Sequence, residues 1–285
     1  MPTYNNCFEM VKEVRLGIDE YDDALVAGED IVGAFNNDFI LKQINLVIRE
    51  LHALIAKRRP SEFLKEESLT AVDSVLTLPS DFGKLVLFRD PFGKKVYSIN
   101  QDERRFTENT GSERLYYMKG STLVLDKAGI SDTYSLIYKS KPRDIHHGKT
   151  SAGGTNSMTL DADRAVKIAD YYNGMILEDV TGDAAYTITD YTAARVATIS
   201  GTGSTGNLYG LVPEIPEWAH VLIAPKAVIY CKNHPKSKEK PSKTEIAAYQ
   251  DMFLMLFREY ATPDEDVNWE EMFTSFEPKT GGLFF

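Results

Sequence analysis

Between Asn36 and Pro60 the apolar residues Ile40, Ile44, Val47, Ile48, Leu51, Leu54 and Ile55 recur at the spacing of one helix face. Asn36 and Asn37 offer N-caps, and Lys57, Arg58 and Arg59 suit the negative end of the helix dipole before Pro60 stops it. A helix is predicted over 36–58. Phe39, Leu41 and Leu46 widen its stripe, so it should touch neighbours on more than one side. A shorter helix is predicted around Phe8–Leu16, ahead of the acidic stretch IDEYDDALVAGED.

From about Ser68 to Ser140 the period changes to two. VDSVLTLP, GKLVLFRD, KKVYSIN, ERLYYMKG, STLVLD and DTYSLIYKS are short β-rich runs separated by turns such as DPFGK and MKGST. Their spacing predicts an antiparallel meander or a small sandwich. HGKTSAGGTNS (147–157) and GTGSTGNLYG (201–210) read as flexible linkers, and the segment between them carries at least four more strands. Paired linkers around a β unit predict an inserted module over 150–210.

After Pro213 the pattern returns to helix. Pro216-Glu217-Trp218 opens one, with Pro225 set to kink or restart it before AVIYCKN. Ser242 and Glu245 form a capping box, followed by the stripe Ile246, Tyr249, Phe253, Leu256, Tyr260. The expected fold is α+β. Its parts are an N-terminal helical part (1–67), the meander (68–146), the inserted all-β module (150–210), C-terminal helices completing the helical domain (211–262) and an extended C-terminal arm (263–285).

The chain has 285 residues with a formal charge of −10, 43% hydrophobic residues and 11% aromatics. That supports a packed core and argues against an independent nucleic-acid binder, which needs a basic face. Cys7 and Cys231 are far apart and read as free thiols of a protein made in a reducing cytoplasm. No apolar run approaches the ~20 residues of a membrane span, and the N-terminus lacks the marks of a signal peptide.

Chemistry-bearing motifs are weak. GTGSTG matches a dinucleotide fingerprint, yet NLYGLVPEIP follows where a helix should open, so it reads as linker. His146-His147 reads as a solvated loop pair, because neighbours in extended chain point opposite ways. LDADRA lacks the glycine and closing glutamate of a calcium loop and reads as a turn. Asp19, Glu20, Asp22, Asp23, Glu29 and Asp30 form an acidic face. Lys232, Lys236, Lys238, Lys240 and Lys243 form a basic contact loop without interleaved aromatics. No nucleophile motif appears, which argues against an enzyme, and no cofactor or metal is expected.

The order of parts resembles the head-to-tail adaptor (connector, or head-completion) proteins of tailed bacteriophages. TLPSDFGKLVLF (77–88) is similar to their L-P-x-D-F step into a hydrophobic strand. VPEIPEWAHVLIAPKAVIYCKN with TEIAAYQDMFLMLFREYA resembles their C-terminal helix pair. YNGMILEDVTG and YTITDYTAARVATIS are similar to a small β module of phage structural proteins. The resemblance implies a virion neck protein, a ring of typically twelve copies docked under the portal once DNA is packaged. Such a ring extends the DNA exit channel and carries the tail, stopper or nozzle protein. An acidic wall lets DNA pass without holding it, and the acidic face is expected at the channel or its rim. A second reading is a virion tail, baseplate or capsid-decoration protein, with Tyr171, Tyr172, Tyr186 and Tyr191 as a receptor- or glycan-binding face.

Trp269, Met272, Phe273 and Phe276 share helical spacing, and Leu283, Phe284 and Phe285 follow a Gly281-Gly282 hinge. They are expected to form an arm that orders on the portal or a neighbouring subunit.

Overall fold

A computed structural model describes residues 6–20, 34–99 and 115–260 of the chain. The fold is α+β, with four helices and four sheets among the described residues. Helix α1 spans Cys7–Gly17 and is capped by Asn6, whose side chain accepts from the Glu9 amide at 3.1 Å. Helix α2 spans Asn37–Arg58, with Asn36 accepting from the Phe39 amide at 2.9 Å. Its buried residues include Ile40, Ile44, Val47, Ile48, Leu51 and Ile55, the face that the apolar spacing marks.

Seven strands follow: β1 (Leu64–Thr70), β2 (Val75–Thr77), β3 (Phe82–Arg89), β4 (Tyr97–Ser98), β5 (Leu115–Lys119), β6 (Thr122–Leu125) and β7 (Thr133–Ser140). They form two sheets, ordered β1-β7-β3 and β2-β6-β5-β4. Phe88, Tyr134, Leu136 and Tyr138 of the first sheet share a core with Leu76, Tyr116, Leu123 and Leu125 of the second. This is a sandwich rather than a meander. Strand β7 lies between β1 and β3, and β4 pairs with β5 in parallel. The period-two pattern does not mark strand β1. It is an edge strand of sequence LKEESLT with no fully buried residue, so its charges hide the alternation.

The second half supplies β8 (His147–Lys149), β9 (Ala152–Thr159), β10 (Ile176–Asp179), β11 (Ala184–Thr187), β12 (Asp190–Tyr191), β13 (Val196–Thr202) and β14 (Leu208–Leu211). Their sheets are β11-β10-β14-β8 and β12-β13-β9. A 3-10 turn (Glu217–Leu222) leads into α3 (Ile223–Asn233), with Pro225 tolerated in its first turn, and α4 (Lys243–Tyr260) closes the described chain. The Ser242 hydroxyl accepts from the Glu245 amide at 3.1 Å, and the Glu245 carboxylate accepts from the Ser242 amide at 2.7 Å. This is the capping box.

The expected divisions change here. Residues 150–210 are all-β, but they share one hydrophobic core with the helices. Met158, Leu177, Tyr191, Leu208 and Tyr209 pack in the same cluster as Cys7, Ile44, Leu51, Ala219 and Phe253. A Cβ on Gly210 of β14 would meet Asn6 Oδ1 at 2.5 Å, so the start of α1 lies against that strand. The separately cored unit is instead the sandwich, 64–140. Its ends meet, with Leu64 paired to Lys139 and the Ser140 hydroxyl donating to the Phe63 carbonyl at 3.3 Å.

The two expected linkers are mainly strands and a tight turn. Their small residues serve close backbone approach: a Cβ on Gly153 would sit 2.4 Å from the Gly203 carbonyl oxygen. His146 and His147 are likewise not solvated. They retain only 5% and 3% exposure, with His146 held edge-on to Tyr172 and Tyr209.

Candidate functional site

Two places gather side chains beyond what either core needs. The first is the junction of sandwich and helical body. The chain leaves β2 at Thr77, crosses Leu78-Pro79-Ser80, and enters β3 at Phe82 with Asp81 buried. Asp81 Oδ1 accepts from the Tyr138 hydroxyl at 2.9 Å, and Oδ2 accepts from Lys65 of β1. Lys65 Nζ also lies 3.4 Å from Glu214 Oε1. Glu214 is gripped by Arg143, at 2.8 Å from Nε and 2.6 Å from Nη2. Arg143 Nη1 donates to the carbonyls of Tyr171 and Asn173 at 2.7 and 2.8 Å. The Ser80 hydroxyl donates to the Tyr171 carbonyl at 3.0 Å.

The electrostatics follow from that pairing. Burial pulls the Arg143 pKa down, and the Glu214 carboxylate outweighs it, so the guanidinium is held charged. Burial and the charge of Asp81 push the Tyr138 phenol up. Burial, then Asp81, also raise the carboxyl of Glu67. An adjoining cleft of about 690 Å3 is lined by Lys65, Asp81, Lys141, Arg143, Asp170 and Asn173. Within the network Lys65 and Arg143 pair with Asp81 and Glu214, and the Ser80 and Tyr138 hydroxyls are taken up in its hydrogen bonds. Chemically the arrangement is a clamp.

The second place is a groove of about 430 Å3 between α1, α3 and α4. Gly17, Val228, Ile229, Ala248, Tyr249 and Met252 line it. Gly17 lets α1 meet α3 closely, because a Cβ there would stand 2.5 Å from Val228 Cγ2. Two carboxylates mark its edges. Burial and neighbouring Glu9 raise the pKa of Glu13, while Glu245 is held down at about 2 by Lys232 and the Ser242 hydrogen bonds.

The residues singled out from sequence fall in several settings. Asp19 is exposed, in a left-handed turn with φ 56°. Glu20 is committed to its own chain. Its carboxylate accepts from the amides of Ala34 at 2.9 Å and Phe35 at 3.4 Å, and faces Arg15 at 3.8 Å. Asp22, Asp23, Glu29 and Asp30 lie outside the described residues, as do Trp269, Met272, Phe273, Phe276, Leu283, Phe284 and Phe285.

Lys232 leaves the expected basic loop, being buried and bonded to Glu245 at 2.6 Å. Lys236, Lys238, Lys240 and Lys243 are exposed, with Lys240 reaching the carbonyls of Asn233 and His234. Tyr172 and Tyr191 are core residues whose rings meet edge-on at 4.7 Å. Tyr171 and Tyr186 are partly buried against the same core. Asp161 of LDADRA accepts from the amides of Asp163 and Arg164 and makes a turn. Cys7 and Cys231 are free and buried. Among the described residues no group of three or more His, Cys, Asp or Glu side chains could hold a metal ion, and no helix is long and apolar enough to cross a membrane.

Sequence reasoning missed the clamp and the groove. Lys65, Asp81, Arg143 and Glu214 carry no shared spacing. The groove is a gap between three helices rather than a motif. Compared with protein-family models and with curated proteins, the chain matches none.

Proposed function

We propose that this protein is a head-to-tail adaptor of a tailed bacteriophage, a structural subunit of the virion neck. In this reading about twelve copies ring the portal, extend the DNA exit channel and present the platform for the tail, stopper or nozzle protein. The observation that carries the reading is the position of Leu78–Phe82, the L-P-x-D-F step by which the chain resembles that family. Within it Ser80 and Asp81 join the clamp between sandwich and helical body. The net charge of −10 supports the same reading, since a negative wall repels the phosphates of passing DNA.

Electron microscopy of the purified protein, alone and mixed with the portal of the same virus, tests this. Rings in solution or rings on the portal are expected. Binding to cell-surface glycan with no affinity for portal would replace the reading with a receptor-binding one. Duplex DNA is expected not to bind the isolated protein at physiological salt. A salt-sensitive affinity would point to Lys236, Lys238, Lys240 and Lys243 instead.

A further inference from the structure

The groove between α1, α3 and α4 is an apolar site on a helical surface, bordered by carboxylates. We infer that the segment Trp269–Phe276 of the same chain docks in it, with Trp269, Met272, Phe273 and Phe276 facing Val228, Ala248 and Met252. The inference does not depend on the adaptor reading.

Chain length permits it. Helix α4 ends at Tyr260, and its groove-lining residues run from Met252 back to Glu245. At 1.5 Å per helical residue, Met252 lies about 12 Å and Glu245 about 22 Å behind Tyr260. Nine chain steps separate Tyr260 from Trp269, and an extended chain covers about 30 Å in that number. A return antiparallel to α4 is therefore within reach with slack. The sequence Thr262-Pro263 suits a change of direction, because proline disfavours the helical conformation at the residue before it.

Side-chain pattern permits it too. Trp269, Met272, Phe273 and Phe276 stand at i, i+3, i+4 and i+7, one face of two helical turns about 12 Å long. The α4 wall of the groove, Glu245 to Met252, has the same number of residues. Glu270 and Glu271 fall off the apolar stripe, so docking turns them to water and away from Glu13. A short tether also holds the segment near the groove at roughly millimolar effective concentration, which favours the same chain over a second copy.

The test uses the full chain. Trp218 and Trp269 are its two tryptophans, so Trp218→Phe leaves Trp269 as the sole reporter. Its emission should be blue-shifted and poorly quenched by acrylamide, at every protein concentration. Ala248 is exposed, so Ala248→Glu should leave the helices folded while shifting the emission red and raising quenching several-fold. A second measurement avoids the Trp218 substitution. A chain carrying Ala248→Cys and Met272→Cys should cross-link within the monomer. Solvent-like emission from Trp269, or protection unchanged by Ala248→Glu, would overturn the inference. So would protection or cross-linking that grows with concentration and yields dimers, which would assign the groove to a second copy.

Discussion

Arg143 holds Glu214 with two parallel hydrogen bonds while its third nitrogen reaches across to the carbonyls of Tyr171 and Asn173. Only 3% of the Arg143 side chain and 19% of Glu214 remain exposed. Removing one partner of such a pair strands the other charge and leaves acceptors unpaired. Arg143→Ala should therefore cost about 3–5 kcal/mol in urea unfolding. Arg143→Lys keeps the charge without the planar fork, and should recover only part of the loss.

The sandwich should be removable. Because Phe63 and Ser140 touch, replacing 64–140 with a short Gly/Ser linker should leave a folded protein with native helix content by circular dichroism. Deleting 150–210 should abolish cooperative melting, since it takes Met158, Leu177, Tyr191 and Tyr209 out of the core that the helices share. The opposite pair of outcomes would show the cores wrongly divided.

Leu51 on α2 is 1% exposed, inside the larger cluster. Leu51→Ala should lower stability by about 2–5 kcal/mol in denaturant titration. A loss as small as that of a surface substitution would remove this face of α2 from the core.

Glu245 sets an acid limit on the start of α4. Its folded pKa of about 2 lies below the ~4.3 of a free glutamate, so the carboxylate's contribution is complete above that value. The contribution is lost as pH falls from there through the folded pKa. Glu245→Gln keeps a capping side chain but removes the titration. The stability gap between wild type and variant should be largest near neutral pH and close on acidification.

Lys226 works in the other direction. It is 4% exposed, with its ammonium 5.3 Å from the Tyr230 ring centre and 5.2 Å from that of Tyr249. Burial lowers its pKa to about 8, against the pull of Glu50. The unfolded chain then binds more protons above that value, so stability should rise with pH from about 8 towards about 10. Lys226→Met should flatten that rise and raise the melting temperature at pH 7.

The helices were legible because their evidence is local. Asn36, Ser242 and Glu245 are caps read within four residues, and the stripe from Ile40 to Ile55 repeats often enough to average out exceptions. The expected α4 stripe holds at Tyr249 and Phe253 and departs in the last turn, where Phe257 is fully buried, Leu256 only in part and Tyr260 exposed. The β half was less legible wherever composition misleads. Gly153 and Gly203 look like linker residues but are small because two backbones meet there. His146 is polar by type, and only the tertiary placement of Tyr172 and Tyr209 makes it a core residue. The clamp could not be read at all, since Lys65 and Glu214 become neighbours only through the completed fold.

The meeting of Phe63 and Ser140 has a consequence for synthesis. Every strand of the sandwich lies in one continuous stretch, so its pairing, though non-local within that stretch, needs no residue beyond Ser140 and can finish while later residues are still being made. The helical body cannot do this. Helix α1 needs β14 at one end and Val228 of α3 at Gly17, both more than 190 residues downstream. Until those residues leave the ribosome, the apolar faces that α1 and α2 do not bury against each other stay open, and they are natural clients of a chaperone. The nascent chain thus carries its insert already finished while the framework around it is still open.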